Sequence, residues 1–403
     1  MRLIIAFLVV VIIYSLQYEL YKKYWDRGLR VKLDFSEDVV SCDEKVELVE
    51  VIENDKPLAL PILNVKFATS RSFDFTEEEN SNVSDMYYRN DIFSILGNQR
   101  IERRLEFTTG ARGVFSIKEL QVSSRDLFLK HSFAHINDND TVLTVLPRRI
   151  PMENFIQIRN QIMGDFFINR WDNPDPFAFR GIRPYQSFDT MGSINWKASA
   201  RMNELMVNQY QATTENEVRI YLNLRPYMKS QADVLAEHAI RISSTIAADY
   251  IDHGIRVSLY TNGWDVESKE EENEIEMTGD RTGDRKDRDD NSNDGSGSDK
   301  EHIEVLPPHF KSGTGREHLK ALDIYLARLD IRRKPADMMK ILQMGFDTAE
   351  GEVTHVIIST YRDDALYGFF ESHINKESVY WIIPEREGNE AELRFPGMFR
   401  WDV

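Results

Sequence analysis

The densest collection of side chains able to do chemistry lies between Asp175 and Val207. Arg183, Asp189, Lys197 and Arg201 alternate there with Tyr185 and Trp196, with Gly181 and Ser199 interspersed. A guanidinium that meets a carboxylate can lock a loop against a sheet through charge-assisted hydrogen bonds, with an aromatic side chain as a lid. Left exposed, Arg, Tyr and Trp are typical anchors for a protein partner. Catalysis at Asp189 is a third reading, and it would need a charged pocket that perturbs the carboxylate.

The other candidates are thinner. Ser312-Gly-Thr-Gly-Arg316 has the glycines of a phosphate loop but lacks the G-x-x-x-x-G-K-[ST] pattern, so a helix-capping loop is expected. His131 and His135 are four apart, a separation of roughly 13 Å on a strand, too far to share a metal. His309 and His318 have no ligand-like neighbours, and no Gly-x-Ser-x-Gly elbow occurs. Cys42 is the single cysteine. It excludes a disulfide within the chain, favours a reducing compartment, and reads as a small residue at a strand edge or loop.

Composition bounds the rest. The chain has 403 residues, 41% hydrophobic and 29% charged, enough for two ordinary domains with an anchor and a linker. A net charge of -17 argues against general nucleic-acid binding. Much of that acidity sits in 267–301, which has almost no large apolar residues and reads as a disordered acidic insertion.

At the amino terminus, Leu3 to Leu16 is almost purely apolar, and Gln17, Tyr18 and Leu20 carry the run towards Tyr21, Lys22 and Lys23. A span needs about 20 residues, and Tyr and Lys suit its interfacial end. A cleaved signal peptide would want more positive charge before the core and small residues after it. An uncleaved membrane helix over 1–24 is therefore expected, its lipid contact being the first partner. Lys22, Lys23, Arg27, Arg30 and Lys32 follow the run and only Arg2 precedes it, so the positive-inside rule puts the bulk of the chain in the cytoplasm at the cell membrane.

Between 28 and 148, period-two alternation recurs at Leu29–Phe35, Lys45–Val51, Ile101–Phe107, Val114–Val122 and Thr141–Leu146. Short strands without intervening helices predict an all-β, immunoglobulin-like sandwich. Glu77–Asp85 reads as an exposed acidic loop. Residues 149–216 form a connecting segment. From 217 to 403, buried strands at Val218–Leu224, Ile255–Tyr260, Val353–Ser359 and Ser378–Ile383 alternate with helices at Ala232–His253, Arg316–Leu329 and Asp364–His373. That alternation predicts an α/β domain with a largely parallel sheet.

The central segment also carries a resemblance. Gly181, Arg183, Tyr185, Asp189, Ile194, Trp196, Ser199, Ala200, Arg201, Leu205 and Val207 stand at the spacing of the signature of the bacterial domain-of-unknown-function 58 family. Arg112-Gly113, Asp126 and Val145–Arg148 fit as flanking segments. Two positions depart from the pattern: Phe188 replaces a usual Gly, and Gly192 a usual Arg. The resemblance implies a membrane-anchored protein with a sandwich and a von Willebrand factor A-like, Rossmann-like domain. It implies, as partner, an AAA+ ATPase of MoxR type, and it attaches no reaction.

Von Willebrand A domains often hold Mg²⁺ through Asp-x-Ser-x-Ser after the first strand, completed by a Thr and an Asp from later loops. Here the corresponding positions read Asn223-Leu-Arg225-Pro-Tyr227, an amide and a cation replacing oxygen ligands. Thr314 is the candidate second-loop ligand, and Ser359 or Thr360 stands where the later Asp belongs. No metal and no cofactor are expected. The leading expectation is a non-catalytic interaction protein; an outward-facing metal-dependent adhesion protein and a cell-wall-related enzyme are the alternatives.

Overall fold

The computed structural model describes residues 2–151, 153, 155–162, 179–186, 189, 191–210, 217–226, 232–266, 306–349, 353–374, 378–386 and 391–403. The acidic stretch 267–301, Tyr227 and Phe188 lie outside the described residues. The chain divides into two compact units, Met1–Arg148 with Leu326–Arg328 and Arg149–Tyr325 with Leu329–Val403.

The first unit begins with helix α1 (Arg2–Tyr24), which is long and apolar enough to cross a membrane. Its Ile and Val content is poor for a helix in water, but in lipid every backbone polar group must be satisfied within the segment, which a helix achieves. Leu3 to Ile13 are exposed all round. From Tyr14 onward one stripe, Tyr14, Gln17, Tyr18 and Tyr21, turns inward at spacings of three and four.

The sandwich follows. One sheet has the order β1 (Leu29–Phe35), β3 (Lys45–Asn54), β8 (Gln99–Thr109), β5 (Phe73–Phe75). The other runs β2 (Val39–Ser41), β10 (Ser132–Leu146), β9 (Gly113–Arg125), β4 (Leu60–Thr69), β7 (Tyr87–Ile95), β6 (Ser81–Val83). Alternate residues of both sheets, among them Leu33, Leu48, Phe107, Leu63, Val122 and Leu143, form one buried core, as the period-two pattern requires. The acidic loop expected over Glu77–Asp85 contains the short strand β6, an exposed edge paired to β7.

Two inward-facing positions on β3, Glu50 and Asn54, break the apolar rule. Glu50 is buried, with no hydrogen-bond partner at either carboxylate oxygen. Across the core, Arg89 of β7 donates to Asp91 at 2.7 Å, and Arg103, opposite Glu50 in the ladder, donates to Asp91 at 2.8 Å. Burial, reinforced by the Asp91 charge, pushes the Glu50 pKa up to about 8 against the pull of Arg103 and Arg89.

The second unit holds the hairpin β11 (Phe179–Pro184) and β12 (Met206–Tyr210), with the seven-residue helix α2 (Trp196–Met202) between them. Its main sheet begins with β13 (Glu217–Asn223), β14 (Arg256–Thr261) and β16 (Phe310–Gly313), and continues through β18 (Val353–Ser359), β19 (Ser378–Glu385) and β20 (Met398–Asp402). The small strands β15 (Trp264–Asp265) and β17 (Leu329–Asp330) pair apart from it. The order across the main sheet is β16-β14-β13-β18-β19-β20, all neighbours parallel except the edge strand β16.

Helices cover both faces. Helix α4 (Arg316–Ala327) follows β16; Tyr221, Ile357 and Trp381 share a core with α5 (Met338–Asp347) and α6 (Asp364–Ile374), and α3 (Ala232–Asp252) packs on β13, β14, β18 and β19. The alternate residues Val218, Ile220, Leu222, Val356 and Ile358 are buried too, which is why these strands read as continuous apolar runs. At Gly345, on α5, a Cβ would fall 2.5 Å from the Tyr221 ring, so only glycine lets that helix lie so close to the sheet.

Candidate functional site: the signature hairpin and the strand-end network

The hairpin sorts the predicted residues into two groups. Arg183, on β11, meets Asp189 with both guanidinium nitrogens, at 2.7 and 2.5 Å, and the Asp189 carboxylate also accepts from the Gln186 backbone N–H at 2.8 Å. The hydrogen bonds from Arg183 hold the Asp189 pKa below the usual carboxylate range despite partial desolvation. A carboxylate so committed has no proton to give near neutral pH and is a poor general base.

Ser199 ties helix to hairpin: its Oγ donates to the Asn195 carbonyl at 2.8 Å and accepts from the Met206 N–H at 2.8 Å. Asn195 caps α2, accepting from Ala198 N–H at 2.9 Å, and donates to Asn208 on β12 at 2.7 Å. Ile194 and Val207 are bridged and buried beneath this lattice. The Tyr185 backbone N–H donates to Leu205 O at 2.8 Å, closing the hairpin, and Gly181 has open space around its Cα.

The second group faces outward. Trp196 is 65% exposed, so it forms no lid over the ion pair. Met191 and Met202 are 70% and 69% exposed, and Lys197 and Arg201 are exposed beside them. The methionines escaped the sequence reading, because burial cannot be read from a segment without a clear period.

The strand-end positions form a different lattice. Asn223, at the carboxyl end of β13, donates to Ser359 Oγ at 2.9 Å, while its Oδ1 accepts from Asn262 Nδ2 at 2.7 Å and from the Arg225 N–H at 3.0 Å. Ser359 Oγ in turn donates to the Tyr361 carbonyl at 2.7 Å, and the Arg225 guanidinium lies 4.0 Å from the Tyr361 ring centroid. Thr360 donates to the Arg225 carbonyl at 3.3 Å. Asn223 Oδ1 and Ser359 Oγ, which a divalent cation would need, are engaged by N–H donors, and a guanidinium stands beside them, so this donor set does not fit Mg²⁺.

Thr314 does not join this lattice. Its neighbour Gly313 pairs with Val257, near the start of β14, four residues or roughly 13 Å along the strand from Thr261 at the Asn223 end. Tyr227 lies outside the described residues. Asn262 was not anticipated from sequence, since nothing in a lone Asn after a strand distinguishes a loop residue from a buried brace.

Residues 181–270 match the family model described as Protein of unknown function DUF58. No curated protein matches the chain in sequence. Among solved structures, a CARDB domain from Pyrococcus furiosus is 13% identical, over 29% of this chain and 94% of that one, with a TM-score of 0.19. A non-cellulosomal cohesin from Archaeoglobus fulgidus is 11% identical over 29% of this chain and 91% of its own, with a TM-score of 0.20.

Proposed function

We propose that this chain, a member of the domain-of-unknown-function 58 family over residues 181–270, is a membrane-anchored, non-catalytic interaction protein. Its signature hairpin is the docking face. The observation that carries this reading is the division of labour in the hairpin. Arg183, Asp189 and Ser199 hold the backbone, whereas Met191, Trp196 and Met202 lie open next to Lys197 and Arg201. Large exposed apolar side chains among cations are what a protein-binding patch requires, and they cost solubility without one.

The second unit is read as a von Willebrand A-like, Rossmann-like domain. Its strand order, third-second-first-fourth-fifth-sixth, supports this, and so does the place of Asn223 and Ser359 at the ends of the two central strands where the order reverses. At that switch point the hydrogen-bonded amides replace an ion. The partner is taken to be an AAA+ ATPase of MoxR type, from the family resemblance, and the basic cluster after α1 supports the reading that the soluble units face the cytoplasm.

The test is co-purification of the tagged full chain, extracted from membranes, with a co-produced MoxR-type ATPase. Replacing Trp196→Ala and Met202→Ala together should lower recovery of the ATPase at least about tenfold, equivalent to about 1.4 kcal/mol of binding. Recovery equal to that of the unaltered chain would reject the hairpin as the docking face.

A further inference from the structure

The turn between β9 and β10 has the sequence Asp126-Leu-Phe-Leu-Lys-His131, and the side chains of Leu127, Phe128 and Leu129 are 59%, 53% and 45% exposed. Three consecutive open apolar residues at a loop tip are costly in water. The turn lies against α1: the rings of Tyr14 and Phe128 are 5.7 Å apart, those of Tyr18 and His131 4.5 Å, and Gln17 donates to Asp126 at 3.0 Å. The tip therefore sits level with Tyr14 and the polar base with Gln17, about one helical turn nearer the sandwich.

We propose that the Leu127–Leu129 turn is a second membrane-contacting element, inserted into the lipid bilayer beside α1. It rests on the reading of α1 as a membrane anchor, and length then decides the depth. The freely projecting part of α1, Leu3 to Ile13, contributes about 16 Å at 1.5 Å per residue, against a hydrocarbon core of about 30 Å. The charged Arg2 closes the apolar run at its other end, so the missing length comes from the stretch after Ile13, whose Tyr14, Gln17 and Tyr18 the turn covers. An α1 that crosses the bilayer draws the turn in with it.

The turn is built for that solvent. Asp126 accepts from the N–H groups of Lys130 at 2.8 Å and His131 at 3.2 Å, its own N–H donates to His131 O at 3.1 Å, and Leu129 N–H donates to Asp126 O at 2.9 Å. Backbone groups satisfied inside the loop can approach lipid without the penalty of bare donors. Leu129 adopts a left-handed conformation, with φ at 57°, a strained choice for a branched apolar residue. Lys22 and Lys23, in the last turn of α1, supply cations for the headgroup layer, and the Lys130 ammonium, 5.5 Å from the Tyr14 ring centroid, has a long stem with which to reach towards it.

The experiment uses the full chain, in a Cys42→Ser background, reconstituted in vesicles of phosphatidylethanolamine and phosphatidylglycerol. Single cysteines carry an environment-sensitive fluorophore: Val9→Cys reports the anchor, and Phe128→Cys and Leu127→Cys report the turn. Val83→Cys reports the far end of the sandwich, which β4 separates from the α1 end by nine residues, or roughly 30 Å. Deep-labelled lipids should remove most of the emission at 9, 127 and 128, more than headgroup-labelled lipids do, and neither should remove any at 83. Quenching at 9 with none at 127 and 128 overturns the insertion and leaves the anchor standing. No quenching at 9 removes the anchor, and the insertion falls with it.

Discussion

At the scale of single residues, the Glu50 carboxyl makes the most specific demand. Its burial raises its pKa from the ordinary 4.5 to about 8, so between those values the folded chain holds a proton there that the unfolded chain has released. Between those two values the folded state binds more protons, and stability must fall as pH rises, by up to about 1.4 kcal/mol per pH unit from this group alone. The cost is absent below 4.5 and complete above 8. Glu50→Gln should therefore raise the unfolding midpoint in urea at alkaline pH and leave it nearly unchanged at acid pH. An equal effect at both ends of the range would rule out a buried neutral carboxyl. In β3 position 50 faces inward with Val46, Leu48 and Ile52, which apolar–polar alternation did not foresee for a Glu, and the Arg89 and Asp91 that surround it come from the opposite sheet. No pattern within one strand names its partners across a core.

At the scale of elements, the carboxyl end of β13 shows how a site can be closed by its own hydrogen bonds. Asn223→Asp removes the N–H that Ser359 Oγ accepts and buries a carboxylate among groups arranged for an amide. It should destabilise the second unit by about 1–3 kcal/mol. Millimolar Mg²⁺ should not recover the loss in a thermal melt, because Asn262 and the Arg225 backbone already occupy the carboxamide oxygen. Recovery by Mg²⁺ would mean that a cation cage survives there. The identity of these residues was legible from the motif positions, and so was the conflict between Arg225 and a metal. Membership of Thr314 was not, because an edge strand that runs antiparallel carries its following loop to the wrong end of the sheet. The hairpin repeats the lesson. Its Arg and Asp were readable as a possible pair from charge and spacing alone, whereas the exposure of Trp196 depends on what the surrounding backbone leaves uncovered.

At the scale of the whole molecule, charge makes a definite prediction about topology. With the cluster from Lys22 to Lys32 kept inside, a green fluorescent protein fused after Val403 should fluoresce, and alkaline phosphatase at the same place should be inactive. The reverse pattern would place the sandwich and the α/β unit outside and return the adhesion reading to contention. The sequence by itself determined the apolar helix, the strand-rich first unit and the alternation of the second, because these rest on local periodicity, which each segment carries alone. Only the tertiary structure decided that Asp126 and Gln17 join a loop to the helix, that Asn262 braces Asn223, and that Glu50 faces Asp91. Those meetings depend on which surfaces fold together, and residues far apart in the chain leave no periodic trace of their contact.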